Sequence, residues 1–275
     1  MHIKNIGKIF AEVEGQIIVR KPDIDLGSLA NTYNTAKPVP HICIDGCFED
    51  TILERIESQF GPDGAWRFFQ TQYELKRQLN QEEKINPFVI SVLRALNSGI
   101  FVRFLEKLTQ IDHLIPDPHF VGAGLHELQN GGRLGVHVDF NKHKSLPLYR
   151  RLNVIVYLNR GWSEKYGGLF EFWDEHRNAC VKSYLPEFNR MVVFSTTKKS
   201  FHGNPVSVNC PQGRTRKSIA MFYYSVHPGL NVKRFRHYTV FLNATGKREA
   251  VVGPYSLRSV IRYLRARLRK VTKRM

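Results

Sequence analysis

Short apolar runs broken by polar turns fill the first 37 residues, among them Gln16-Ile17-Ile18-Val19, and predict an N-terminal extension with one or two strands. Pro38-Val39-Pro40-His41-Ile42-Cys43-Ile44-Asp45 reads as a strand entered through prolines. Glu49 to Ile56 reads as the acidic start of an amphipathic helix. From Glu74 to Leu108 the pattern is helical: Phe88, Val89, Val92, Leu93 and Leu96, then Phe101, Phe104, Leu105 and Leu108, recur every three or four residues. Asn97-Ser98-Gly99 is the expected break between two helices, and Leu114-Ile115-Pro116-Asp117-Pro118 ends the helical part, because a residue before proline is driven from the α region.

Beyond Pro118 the period changes to that of strands. Gly132–Phe140, Arg151–Asn159, Leu169–Trp173, Arg190–Thr196 and Lys217–Ser225 are short β runs, punctuated by Asn130-Gly131-Gly132 and Gly167-Gly168. Helices followed by many short strands predict an α+β chain whose core is a double-stranded β-helix, or jelly roll, flanked by N-terminal helices. The expected division is an extension over 1–37, one domain over 38–245 with its jelly-roll core at about 120–228, and a tail over 246–275. Within that tail Leu257, Ile261, Leu264, Leu268 and Val271 form one stripe among arginines and lysines, as in a basic amphipathic helix.

Charge and cysteine usage narrow the picture further. A formal net charge of +17 favours an anionic partner: nucleic acid, an acidic membrane face, or an acidic or phosphorylated substrate. The tail fits an anionic membrane surface better than nucleic acid, since no basic segment interleaved with aromatics of the single-strand-binding kind is present. Cys43, Cys47, Cys180 and Cys210 form no CxxC pair, so neither a zinc site nor a disulfide framework is expected. No apolar run reaches the ~18 residues of a membrane span, and no secretory signal is read at the start. A reducing cytoplasm is the expected location, with peripheral membrane contact through 256–275.

The candidate chemistry centres on Leu134-Gly135-Val136-His137-Val138-Asp139-Phe140. In an extended strand alternate side chains share a face, so His137 and Asp139 project together. An imidazole and a carboxylate so placed make two corners of a 2-His-1-carboxylate iron(II) site. His202, after the buried run Arg190–Ser195, is a candidate third corner. Arg216 opens the next strand, where a guanidinium can clamp a dicarboxylate; Arg214 is its rival.

His137-x-Asp139, then His202, then Arg216 resembles the iron(II)/2-oxoglutarate-dependent dioxygenases, particularly their prolyl-4-hydroxylase-like branch. Tyr157-Leu158-Asn159, Trp162, the Gly167-Gly168 hairpin and the entry strand at Pro40–Phe48 extend the resemblance over about residues 38–230. It implies that His137, Asp139 and His202 bind iron(II) as the catalytic centre, and that Arg216 and Tyr157 hold the distal carboxylate of 2-oxoglutarate. Asn153, on the same face as Tyr157, is a further candidate for that pocket. Dioxygen and 2-oxoglutarate would be cosubstrates, with ascorbate a possible auxiliary. The activity implied is hydroxylation of an unactivated C–H bond, on a prolyl or other residue of a protein. A glycan or lipid-linked sugar at the membrane surface is the alternative substrate, and a non-catalytic jelly-roll binding protein the alternative class. His126-Glu127-Leu128-Gln129-Asn130 departs from the branch, offering no tyrosine where some prolyl hydroxylases have one.

Overall fold

The structure is a computed structural model and describes residues 2–4, 6–22, 24–61, 65–176, 179–226, 238–242 and 248–250. The basic helix expected over 256–275 lies outside these residues. The chain opens with β1 (His2–Lys4), then a hairpin of β2 (Phe10–Val13) and β3 (Gln16–Val19). Its two-residue turn, Glu14-Gly15, has positive φ at both positions, the geometry that matches the twist of paired strands. Next come α1 (Leu26–Thr35), whose first turn is capped by Asp25, β4 (His41–Asp45) and α2 (Asp50–Glu57). The hairpin β5 (Arg67–Gln70) and β6 (Glu74–Leu79) leads to α3 (Pro87–Leu96) and α4 (Gly99–Thr109).

The helical reading holds from Pro87 onward. Pro87 sits at the first turn behind an Asn86 cap, Asn97 ends α3, and Ser98 caps α4 through the Phe101 N–H. It fails for Glu74–Leu79, which is a strand. That segment is rich in charge, so alternation is masked, and its conformation is set by pairing with neighbours far away in sequence. Arg77, on this strand, is buried against the Glu127 carboxylate and stacks over Trp66 at 4.5 Å. No single described helix is long and apolar enough to cross a membrane; α3 and α4 together reach that length but bend by 42° at their break, and both bury one face.

The remaining strands are β7 (Ile115–Pro116), β8 (Gly124–Leu128), β9 (Arg133–Val138), β10 (Tyr149–Tyr157), β11 (Phe170–Trp173), β12 (Cys180–Tyr184), β13 (Arg190–Ser195), β14 (His202–Asn204), β15 (Arg216–Ser225), β16 (Val240–Leu242) and β17 (Arg248–Ala250). They form a jelly roll. One sheet runs β13-β10-β15-β8, antiparallel throughout, and is extended past β13 by β4 and β1. The other runs β9-β14-β11-β12. Strand β6 pairs with β5 along one edge and, along the other, with β8 and then β9, joining the two sheets along one seam.

Strand alternation divides the labour on β10. Leu152, Val154 and Val156 are buried in the same core as Ile9, Phe10, Leu29 and the apolar faces of α3 and α4. Asn153 and Tyr157 face the opposite way, into the space between the sheets. The helices thus hold one face of the first sheet, and the other face is left to build a site. All four cysteines are free thiols.

Candidate metal centre

His137 lies near the end of β9 and Asp139 one residue beyond it, so both keep the shared face that two-residue spacing predicts. Strand β14 pairs with β9 with His202 opposite His137 in register, which brings the ring centroids within 4.4 Å. Gly203 makes this approach possible: a Cβ there would stand 2.8 Å from the carbonyl oxygens of both Leu134 and Gly135. His202 is the first residue of this three-residue strand.

The three side chains are 4–7% exposed, and their ligand atoms lie within 4.8 Å of one another. Each histidine Nδ1 donates to a backbone carbonyl two residues back, His137 to Gly135 and His202 to Ser200, both at 2.8 Å. A carbonyl can only accept, so the proton is fixed on Nδ1 and the Nε2 lone pair is left for a metal. The Nε2 atoms stand 3.5 Å (His137) and 3.4 Å (His202) from the Asp139 carboxylate oxygens. Burial, with the neighbouring His137 ring, pushes His202 down to about 4, which keeps it in the neutral, ligating form. Two imidazoles and a carboxylate, all buried and converging on one point, fit iron(II).

Asp139 has further support that sequence did not reveal. Burial alone would raise its pKa, but Arg150, His202 and His137 outweigh that and hold the carboxyl well below the usual range. Asn153 Nδ2 donates to Asp139 Oδ2 at 2.7 Å, and Arg150 Nη2 lies 3.2 Å from the same oxygen. Arg150 also donates from Nε and Nη2 to Asn153 Oδ1, at 2.8 and 2.5 Å. Its guanidinium, 1% exposed, lies 3.4 Å from the Phe222 ring centroid and 4.5 Å from that of Phe140. Its Nη1 is buried with no hydrogen-bond partner among the described residues. An odd spacing of three from Asn153 would put Arg150 on the opposite face. A bulge in β10 between Arg150 and Leu152 reverses that parity.

Arg216 and Tyr157 meet deeper between the sheets. Arg216 Nε donates to the Gly168 carbonyl at 2.6 Å, and Nη2 lies 3.4 Å from the Tyr157 hydroxyl. A Cβ on Gly168, whose φ is +64°, would come within 3.0 Å of Arg216 Cδ, which gives the Gly167-Gly168 hairpin its physical reason. Burial, opposed by Arg216, pushes Tyr157 up to about 12. Arg214 does not compete: it donates to the Arg160 carbonyl and lies near Trp162 and Tyr166, away from the cavity lining. His137, Asp139, His202, Arg216, Tyr157 and Asn153 all line one cavity of about 690 Å³. A second cluster, His2, Cys43 and Asp45, has ligand-like spacing. There, Arg190 pairs with Asp45 at 2.8 and 3.0 Å and approaches His2 at 3.2 Å, so a guanidinium already supplies the cation.

His126, on β8, lines the same cavity. Burial, aided by Lys76, pushes it down to about 3. An unfolded histidine titrates near ~6.5, so protons favour the unfolded chain: this contribution is whole above that pH and drains away as pH falls toward 3. The thermal midpoint is therefore expected to decline from pH 6.5 to 4, and less steeply in His126→Asn. Parallel curves for the two proteins would contradict this.

Residues 123–224 match the family described as the 2OG-Fe(II) oxygenase superfamily. A search of curated proteins finds no match. Among solved structures, a prolyl-4-hydroxylase of Pseudomonas putida is similar over 73% of this chain and 99% of its own, at 13% identity and a TM-score of 0.52. A prolyl hydroxylase of Trichoplax adhaerens, solved with a hypoxia inducible factor peptide fragment, is similar over 73% and 89%, at 15% identity and a TM-score of 0.48. HygX of Streptomyces hygroscopicus, solved with nickel and 2-oxoglutarate, is similar over 72% and 86%, at 10% identity and a TM-score of 0.47.

Proposed function

From the premise that this chain is a 2-oxoglutarate-dependent dioxygenase of the 2OG-Fe(II) oxygenase superfamily, we propose that it hydroxylates an unactivated C–H bond on a residue of a protein, a prolyl residue first among them. One observation carries the reading: the His137–Asp139–His202 cluster and the Arg216–Tyr157 pair open into a single cavity of about 690 Å³, ample for a cosubstrate and a side chain. The shared fold with a prolyl-4-hydroxylase supports the substrate class.

Iron(II), when bound with 2-oxoglutarate, supplies the oxidising chemistry, with succinate and carbon dioxide as coproducts. The protein's residues do the rest. His137, Asp139 and His202 would hold the ion on one side and leave the opposite side open. Arg150 and Asn153 keep Asp139 ionised and oriented. Arg216 would pair with the distal carboxylate of 2-oxoglutarate, with the Tyr157 hydroxyl donating to it.

A panel of peptides, glycans and lipid-linked sugars, scored by succinate release and by a mass gain of one oxygen, tests this. Oxygen gain on a glycan and on no peptide would favour the alternative substrate class. Iron(II) added anaerobically with 2-oxoglutarate should give a weak visible band; a blank spectrum would favour a binding protein. Arg216→Gln should raise the KM for 2-oxoglutarate by about 30-fold or more, because one buried charge-assisted pair is worth roughly 2–5 kcal/mol. Arg216→Lys should recover only part of this, since an ammonium cannot form the planar fork. An unchanged KM would exclude Arg216 as the anchor.

A further inference from the structure

The charged residues of the cavity wall are mostly cations. Arg67, Lys76, Lys142, Lys144, Arg150 and Arg216 line it, against two carboxylates, Glu74 and Asp139. Glu74 lies 3.1 Å from Lys76, and Asp139 belongs to the candidate metal centre. Iron(II) would bring two positive charges and 2-oxoglutarate two negative ones, so in the loaded site cationic side chains still outnumber carboxylates among the described lining residues, Arg67, Lys142 and Lys144 among them.

The segment bearing the two lysines is fastened in place. His143, between them, is 1% exposed, and its Nδ1 accepts from the Ser145 and Leu146 N–H groups at 3.1 and 3.0 Å. Its Nε2 stands 3.5 Å from the buried Asp117 carboxylate. Backbone bonds from His143 N to Leu148 O and from Arg150 N to Asn141 O, both 2.9 Å, close the loop. Elsewhere in the wall, Asn204 is 4% exposed, and its Nδ2 is buried without a hydrogen-bond partner among the described residues. A buried donor with nothing to give to is unfavourable, and a ligand carbonyl would relieve it.

We propose that the substrate is an acidic peptide whose carboxylates meet Arg67, Lys142 and Lys144 while a backbone carbonyl accepts from Asn204. Lysines are flexible point charges, which suits carboxylates spread along a chain. A phosphate is more often held by a guanidinium fork or a nest of backbone N–H groups. The proposal rests on the peptide reading above in placing a peptide in this cavity.

The test is fluorescence anisotropy on the full chain, loaded anaerobically with iron(II) and 2-oxoglutarate, using labelled proline-centred peptides of equal length with acidic, neutral or basic flanks. The acidic peptide should bind about tenfold tighter than the neutral one at low salt, with the gap closing as salt rises. The variant Arg67→Gln/Lys142→Gln/Lys144→Gln, its fold checked by thermal melt, should lose the preference although residues 256–275 keep their charge. Asn204→Ala should weaken acidic and neutral peptides alike. Equal binding of acidic and neutral peptides, or a preference that survives the triple variant, would overturn the proposal. So would displacement of the acidic peptide by a phosphorylated sugar or a short oligonucleotide that binds more tightly and loses its own affinity in the triple variant. Mass gain on the same peptides scores the hydroxylase reading separately: charge-selective binding without oxygen gain sinks that reading alone, and oxygen gain without charge selectivity sinks this one alone.

Discussion

His202→Ala is expected to remove 2-oxoglutarate turnover to below about one part in a thousand, the scale on which losing part of a unit that acts together is felt. The two remaining donors, His137 and Asp139, sit at and just past the end of one strand, and His202 closes the ring from the strand paired with it. With it gone, an ion would have neighbouring donors on one strand and water elsewhere. The check is a thermal melt with and without metal. Wild-type protein should gain about 2.7 kcal/mol of stability at a metal concentration 100 times Kd, and the variant should gain almost nothing. Metal-free melts give the cost of losing the buried ring, which packs on Phe170 and Phe194, so the metal-dependent gain is read as a difference for each protein. Full metal stabilisation in His202→Ala would remove this histidine from the site.

Arg150→Met should be the most destabilising single change near the site. The guanidinium is enclosed by two phenylalanine rings, and it bonds Asn153 and faces Asp139. Deleting one partner of a buried pair strands the other, at about 3–5 kcal/mol. At about 2–4 °C per kcal/mol for a domain of this size, the melting midpoint should fall by roughly 10 °C. A second effect separates electrostatics from packing. Without Arg150 the Asp139 carboxyl rises toward and above its ordinary range, so metal binding should weaken as pH drops from 7 to 5, where wild type still binds. Arg150→Lys should rescue neither fully, since an ammonium cannot span Asn153 and Asp139 while stacking on Phe222. A pH profile of metal affinity unchanged in Arg150→Met would rule out the charge role.

Residues whose placement depends on regular geometry were legible from sequence. His137 and Asp139 share a face because β9 is a regular strand, and α3 and α4 follow their apolar stripe with caps at Asn86 and Ser98. What escaped depends on distant partners or broken periods. Strand β6 reads as charged, and its pairing to β5, β8 and β9 makes it a strand. Strand β14, three residues long, is too short to show alternation and exists through its register with β9. Arg150 was hidden by one extra residue in β10, which turns an odd spacing into a shared face. Arg214 and Arg216 look equivalent in sequence; the bonds to Gly168 and Tyr157 separate them in space.

The seam made by β6 also sets how this enzyme could change its diet. With that strand hydrogen-bonded to both β8 and β9, the two sheets are tied along that edge and cannot part there to admit a bulkier molecule. Broader substrate range would have to come from trimming side chains that line the cavity, such as Phe69 on β5, rather than from loosening the frame.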